Sequence, residues 1–159
     1  MNIDILAIGD IKEKYLKDAI KEYEKRIKAY ANIKIIELAE ERLASNPSES
    51  EINQSMEKEG ERILEKIKPR SFIFALCIEG KQMTSEDFSK KIDQIGLDGY
   101  GDISFIIGGS NGLSKAVKNR ADYKLSFSKM TFPHQVMRLI LLEQTYRAYK
   151  ISRNEPYHK

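Results

Sequence analysis

Histidine and cysteine are scarce in this chain, with two of the first and one of the second in 159 residues. A lone Cys77 excludes an internal disulfide, and its place in the apolar run Phe72 to Ile78 reads as a buried structural thiol rather than a nucleophile. One cysteine and two histidines at no ligand spacing leave a structural zinc site without donors, and no metal is expected. No apolar run approaches the length of a membrane span. Met1-Asn2-Ile3-Asp4 opens directly into a strand pattern, so a cytoplasmic location is expected. Net charge is only +3, which rules out a polybasic tail announcing nucleic acid. Neither a Walker loop nor a dinucleotide-binding fingerprint occurs, which weighs against a nucleotide-binding regulator.

What is present fits a globular α/β protein. Hydrophobic residues make up 41% and charged residues 32%, and 159 residues are enough for one domain, 1–159, with a real core. Asn2 to Gly9 is an Ile- and Leu-rich run read as a fully buried strand. Lys14 to Tyr30 carries Leu16, Ile20, Tyr23, Ile27 and Tyr30 near helical spacing. A second strand at Ile33 to Leu38 precedes a polar surface loop, Ala44 to Ser50, and a charged helix, Glu51 to Lys68, that Pro69 ends. Phe72 to Ile78 is the third strand. Thr84-Ser85-Glu86-Asp87 has the form of a capping box and opens a helix with Phe88, Ile92 and Ile95 on one face. Strands alternating with helices predict a three-layer sheet with parallel strands.

The centre of the chain is Ile103 to His134. A short apolar strand, Ile103 to Ile107, runs into Gly108-Gly109-Ser110-Asn111-Gly112. A short helical pattern begins near Ser114, and a strand-like run, Tyr123 to Phe127, leads to a second loop, Ser128 to His134. Two loops leaving strand ends are what a small-molecule crevice in an α/β sheet requires. The last helix, Pro133 to about Arg153, has Leu139, Leu142, Tyr146 and Tyr149 on one face and Met137, Leu141 and Ala148 on a second. So wide an apolar band points to a second partner, most simply another copy of the chain, with Leu141 read as an outward residue. From Lys129 onward the cations Lys129, Arg138, Arg147, Lys150, Arg153 and Lys159 outnumber Glu143 and Glu155. That excess could contact phosphates, though on its own a solvated helix face is the favoured reading.

The strings FIIGGSNGL, LSFSKMTFPHQVMRLILLEQTYRAYKI and the ending PYHK, with ALCIEGKQMTSEDF and the opening strand, resemble the RlmH family of SPOUT methyltransferases over essentially the whole chain. The resemblance implies a homodimer with a C-terminal trefoil knot, which hydrophobic periodicity cannot reveal; ordinary connection rules give an unknotted sheet. It also implies transfer of a methyl group from S-adenosylmethionine to N3 of a pseudouridine in large-subunit (23S) ribosomal RNA, on the assembled ribosome. Carried over by position, the cofactor pocket falls on Leu76, Gly108, Phe127, Ser128, Lys129, Met130, Thr131 and Phe132. Glycine at 108 would let backbone approach the ligand without a Cβ in the way.

The N3 proton must leave during transfer, and His158 is the first candidate to accept it, with Glu143 second. Arg147 or Arg138 could stabilise the developing anion or hold a phosphate, and Tyr157 could stack on the target base. The alternative reading is a non-catalytic RNA-binding or ribosome-assembly module using the same basic residues.

Overall fold

Along Asn2–Ile8 (β1) the side chains alternate between two apolar layers, because helices cover both faces of the strand. The computed structural model describes all residues 1–159. After β1 come α1 (Lys14–Ile27), β2 (Asn32–Leu38), α2 (Glu49–Lys66), β3 (Ser71–Lys81) and α3 (Ser85–Leu97). The chain then forms β4 (Asp102–Ile107), α4 (Lys115–Arg120), β5 (Tyr123–Leu125) and α5 (His134–Ser152). The strands make one sheet of order β2-β1-β4-β3-β5, and every paired neighbour is parallel.

Ile3, Ile5, Phe74, Phe105 and Ile107 face α1, α3 and α5 in the larger core. Leu6, Ile8, Ile73 and Ile106 face Ile63 of α2 and Val117 of α4 in the smaller one. Phe74 stacks on Phe105 across β3 and β4 at 4.9 Å between centroids, at the middle of the larger layer. The three-layer parallel arrangement read from the sequence is the one observed.

Several details differ. The α1 helix stops at Ile27, and Tyr30 instead stacks on Tyr149 of α5 at 5.6 Å. The α2 helix starts at Glu49, inside the expected loop, because Ser48 and Glu51 form a reciprocal capping box. At Thr84 only half of the expected box exists: its hydroxyl accepts from the Asp87 N–H. The β3 strand runs on to Lys81, beyond Ile78, and Lys81 pairs with Leu125 after a register shift. Gly80 permits this approach, since a Cβ there would stand 2.7 Å from the Lys124 backbone.

The largest correction concerns α5. It lies between α1 and α3 over the sheet, so both of its apolar faces are used inside one chain. Leu141 is fully buried at 0% exposure, together with Leu142, Ala148 and Tyr149. The inner part of the wide apolar band is thus used within the chain, while Met137, Leu139 and Ile140 stay half-buried.

Candidate active site

The outer half of β3 and the loops after β4 and β5 converge at the carboxyl edge of the sheet, where ligands of open α/β sheets bind. They enclose a cavity of about 740 Å³. Leu76, Gly108, Phe127, Ser128, Met130, Thr131 and Phe132 all line it, while Lys129 is exposed and does not. His134 and Met137, from the start of α5, complete one wall and were not expected there. The sequence signal for them was their helical spacing directly after the second loop.

Local bonding shapes both loops. The Gly112 N–H donates to the Gly109 carbonyl at 3.1 Å, and Gly112 takes φ +88°, a left-handed conformation that suits glycine. In the second loop the Ser126 hydroxyl donates to the Ser128 carbonyl, and the Ser128 hydroxyl accepts from the Met130 N–H at 2.9 Å. Gly108 has a reason within the loop itself: a Cβ there would stand 2.8 Å from the Gly112 carbonyl carbon and oxygen, so the loop requires glycine at this position.

Cys77 also lines the cavity and is half-buried, not fully buried as its run suggested. Burial first, then the charge of Glu79, pushes its thiol pKa up, which favours the protonated thiol over the thiolate. Lys118 pairs with Glu79 at the rim.

Of the five residues expected to act in catalysis, four meet at the far end of α5. Glu143 accepts from the Arg147 Nε at 3.1 Å, again from Arg147 Nη2, and from the Tyr157 hydroxyl at 3.0 Å. The Arg147 guanidinium stands 4.7 Å from the Tyr157 ring centroid. Its Nη1 lies 3.1 Å from His158 Nδ1, and His158 Nε2 lies 2.7 Å from Glu86 Oε1. Arginine only donates, so Nδ1 is the acceptor and Nε2 carries the proton that goes to Glu86. Glu86 is a member of this cluster that the sequence did not single out. Burial, followed by hydrogen bonds with Tyr23 and Glu143, raises the Tyr157 pKa and holds it as a neutral phenol.

Arg138 stands apart from that cluster. It is 1% exposed, its Nη1 bonds Glu37 Oε2 at 2.7 Å, and its Nη2 donates to the Gly9 carbonyl at 3.3 Å. In this position it ties α5 to the ends of β1 and β2 and offers no surface to a phosphate. Lys150 is likewise committed, bonding Glu155 at 2.6 Å, and Arg153 lies over the Tyr30 ring. The basic excess of the C-terminal third is thus largely spent inside the chain.

The cavity and the cluster are separate. Met137 and Glu143 are six residues apart in α5, about 9 Å along the axis, and Arg147 is about 15 Å from Met137. No helix is long and apolar enough to cross a membrane, and no group of three or more His, Cys, Asp or Glu side chains could hold a metal ion.

Comparison with known proteins assigns the family. The family model described as "Predicted SPOUT methyltransferase" matches residues 1–158. Ribosomal RNA large subunit methyltransferase H from Bacillus pumilus is 56% identical, and its namesake from Exiguobacterium sp. is 55% identical, each over 100% of both chains. The Leuconostoc mesenteroides protein of that name is 52% identical, again over 100% of both chains. A solved structure described as a probable methylase family protein from Haemophilus influenzae superposes with a TM-score of 0.56 at 11% identity, covering 99% of this chain and 70% of the other, and supports the fold alone. A full-length family match, joined to relatives more than half identical from end to end, makes this chain a member of the RlmH family of SPOUT methyltransferases.

Proposed function

We propose that the chain, acting as one domain, methylates N3 of a pseudouridine in large-subunit ribosomal RNA. The donor is S-adenosylmethionine, and the working form is a cytoplasmic homodimer with a C-terminal trefoil knot acting on the assembled ribosome. The observation that carries this reading is the cavity: seven of the eight positions expected to hold the cofactor line a single space of about 740 Å³. That volume falls within the roughly 300–1,000 Å³ of small-ligand pockets. Its lining fits the cofactor, with Leu76, Met130 and Phe132 for apolar surface and loop backbone for the adenine edge. S-adenosylmethionine supplies a methyl group bound to a positively charged sulfur.

The residues of this chain then align, shield and manage a proton. Alignment of donor and acceptor is worth about 7–11 kcal/mol in favourable cases. Removal of the N3 proton falls to the C-terminal cluster. Glu143 Oε1 already accepts three hydrogen bonds, from Arg147 and Tyr157, and its Oε2 accepts a fourth from Gln144 Nε2 at 2.8 Å, so both carboxylate oxygens are engaged. His158 is the better acceptor once its Nδ1 is released from Arg147. Tyr157, a neutral phenol, is suited to stacking on the base.

The distance along α5 between cavity and tail supports the dimer, because a tail remote from its own pocket can serve a neighbour's. The knot rests on membership of the family.

Mass-spectrometric mapping of ribosomal RNA from a strain lacking the protein tests the reaction. The expected result is loss of one N3-methylpseudouridine and its return with the restored gene; unchanged modification overturns the reading. Titration with S-adenosylmethionine separates the enzyme from a pure RNA-binding module, which has no reason to bind it.

A further inference from the structure

The cofactor cavity has a neighbour on the same edge of the sheet. A second cavity of about 680 Å³ opens at the carboxyl ends of β1 and β2, and Ser110 and Asn111 line both spaces. We propose that this second cavity receives the acceptor nucleobase, and that Glu40 accepts the N1–H which pseudouridine has and uridine lacks. The inference rests on the methyltransferase reading above and names the part of the site that selects the base.

The charge of the cavity identifies the class of ligand. Asp10, Glu37, Glu40 and Glu41 line it against Lys12 and Arg42. Such a lining repels a phosphate but suits a neutral heterocycle rich in N–H donors, because ionised carboxylates only accept hydrogen bonds. In pseudouridine the sugar is attached through carbon, so N1 keeps a hydrogen. N1 and N3 flank the C2 carbonyl. A base that turns N3 toward the cofactor cavity therefore presents its C2 oxygen and N1–H along the same edge. The Ser110 hydroxyl and Asn111 amide, in the shared wall, can donate to that oxygen.

Hydrogen-bond accounting narrows the four carboxylates to Asp10 and Glu40, and position selects Glu40, whose carboxylate stands beside both Gly9 and Gly109 at the boundary with the cofactor cavity. Glu37 Oε2 takes bonds from Arg138 and from the Ile11 N–H. Glu41 pairs with Arg62, and Glu59, 7% exposed behind the wall, accepts the Glu41 N–H. Glu40 has only a long contact of 3.4 Å from the Ser110 hydroxyl, which leaves acceptor capacity free. It also stands at the boundary. Its Oε1 is 3.5 Å from where a Cβ on Gly109 would be, and its Oε2 is 3.6 Å from the corresponding point on Gly9. His134, which lines the cofactor cavity, brings Nε2 to 3.9 Å from that same point on Gly9.

The test compares methylation of two ribosome preparations, both lacking the methyl group, one with pseudouridine and one with uridine at the target. Wild type, Glu40→Gln and Glu40→Ala are assayed on each, with melting temperature and S-adenosylmethionine affinity measured alongside. Wild type should prefer pseudouridine. Both variants should keep fold and cofactor affinity, and their ratio of rates on the two substrates should fall by about tenfold or more, the value of a charged hydrogen bond. Equal rates of wild type on both preparations, or a parallel fall on both in the variants, would overturn the role of Glu40 and leave the methyltransferase reading standing. A wild type inactive on both preparations would overturn the reading itself.

Discussion

Arg138 Nη1 meets Glu37 Oε2 at 2.7 Å, but the two partners are buried very unequally, with side-chain exposures of 2% and 46%. That asymmetry sets the cost of breaking the pair. Removing Glu37 leaves a permanent cation enclosed by the core, whereas removing Arg138 leaves a carboxylate that water can reach. Glu37→Ala should therefore cost about 2–3 kcal/mol, somewhat below a fully buried pair, while Arg138→Met should stay within about 1.5 kcal/mol. Urea unfolding of the two variants checks the order. A costlier Arg138→Met would mean that Arg138 is held chiefly by something other than Glu37.

Tyr149 presents a second buried polar group, and its hydroxyl has no hydrogen-bond partner. Burial first, then the charge of Asp93, pushes its pKa up to about 12. An unfolded phenol titrates near 10, so the folded state holds this proton more tightly. The resulting stability is complete below about pH 10 and is lost as pH rises through about 12. Tyr149→Phe removes both the slope and the unsatisfied hydroxyl. It should be neutral or stabilising by up to about 1 kcal/mol at pH 7 and flatten the alkaline loss. Melting curves of both proteins between pH 7 and 11.5 measure this, and the difference between them isolates Tyr149 from the other tyrosines.

Cys77 should be a slow thiol. Its raised pKa leaves little thiolate at pH 7.5, so iodoacetamide should modify it more slowly than it modifies glutathione, with the rate still climbing above the usual thiol range. Because Cys77 lines the proposed cofactor cavity, S-adenosylmethionine should slow it further. Alkylation indifferent to the cofactor would move the ligand elsewhere.

Gly108→Ala tests the loop. The added Cβ would have to displace the Gly112 carbonyl, 2.8 Å away, so cofactor affinity and melting temperature should fall together. A loss of affinity at unchanged stability would restore the simpler view that the glycine serves the ligand alone. Calorimetric titration and a melting curve on one preparation give both quantities.

The elements were legible where one force dominated. Ile3, Ile5, Ile103 and Phe105 announce buried parallel strands because both strand faces need apolar cover. Leu16, Ile20 and Ile27 announce α1 by spacing alone. Where non-local packing decided, the sequence misled. Leu141 looked outward because nothing local shows that α1 and α3 enclose α5 from two sides. Arg138 looked available because its burial depends on Glu37 and Gly9, more than 100 residues earlier. The cofactor positions came from family likeness, and the Glu86 contact to His158 depends on how the tail folds back, which no periodicity encodes.

That fold-back leads to the sharpest prediction. The tail docks on Glu143, Arg147 and Glu86, while the cavity opens at the other end of α5, so a tail that works in catalysis should work on the partner's cavity. Take two inactive variants, one with the pocket lesion Gly108→Arg and one truncated before Tyr157. Neither homodimer should methylate. In a mixed dimer, the intact tail of the first chain meets the intact pocket of the second, and both lesions collect in the other site. Random pairing makes half of all dimers mixed, each with one good site of two, so activity should return to about a quarter of wild type. If the tail served its own pocket, every site would carry one lesion and activity would stay near zero. After co-expression with two affinity tags and purification of the doubly tagged species, every dimer is mixed, so assay on undermethylated ribosomes should give about half of wild-type activity, against near zero for the other arrangement. A doubly tagged, folded dimer without activity would return the tail to its own chain.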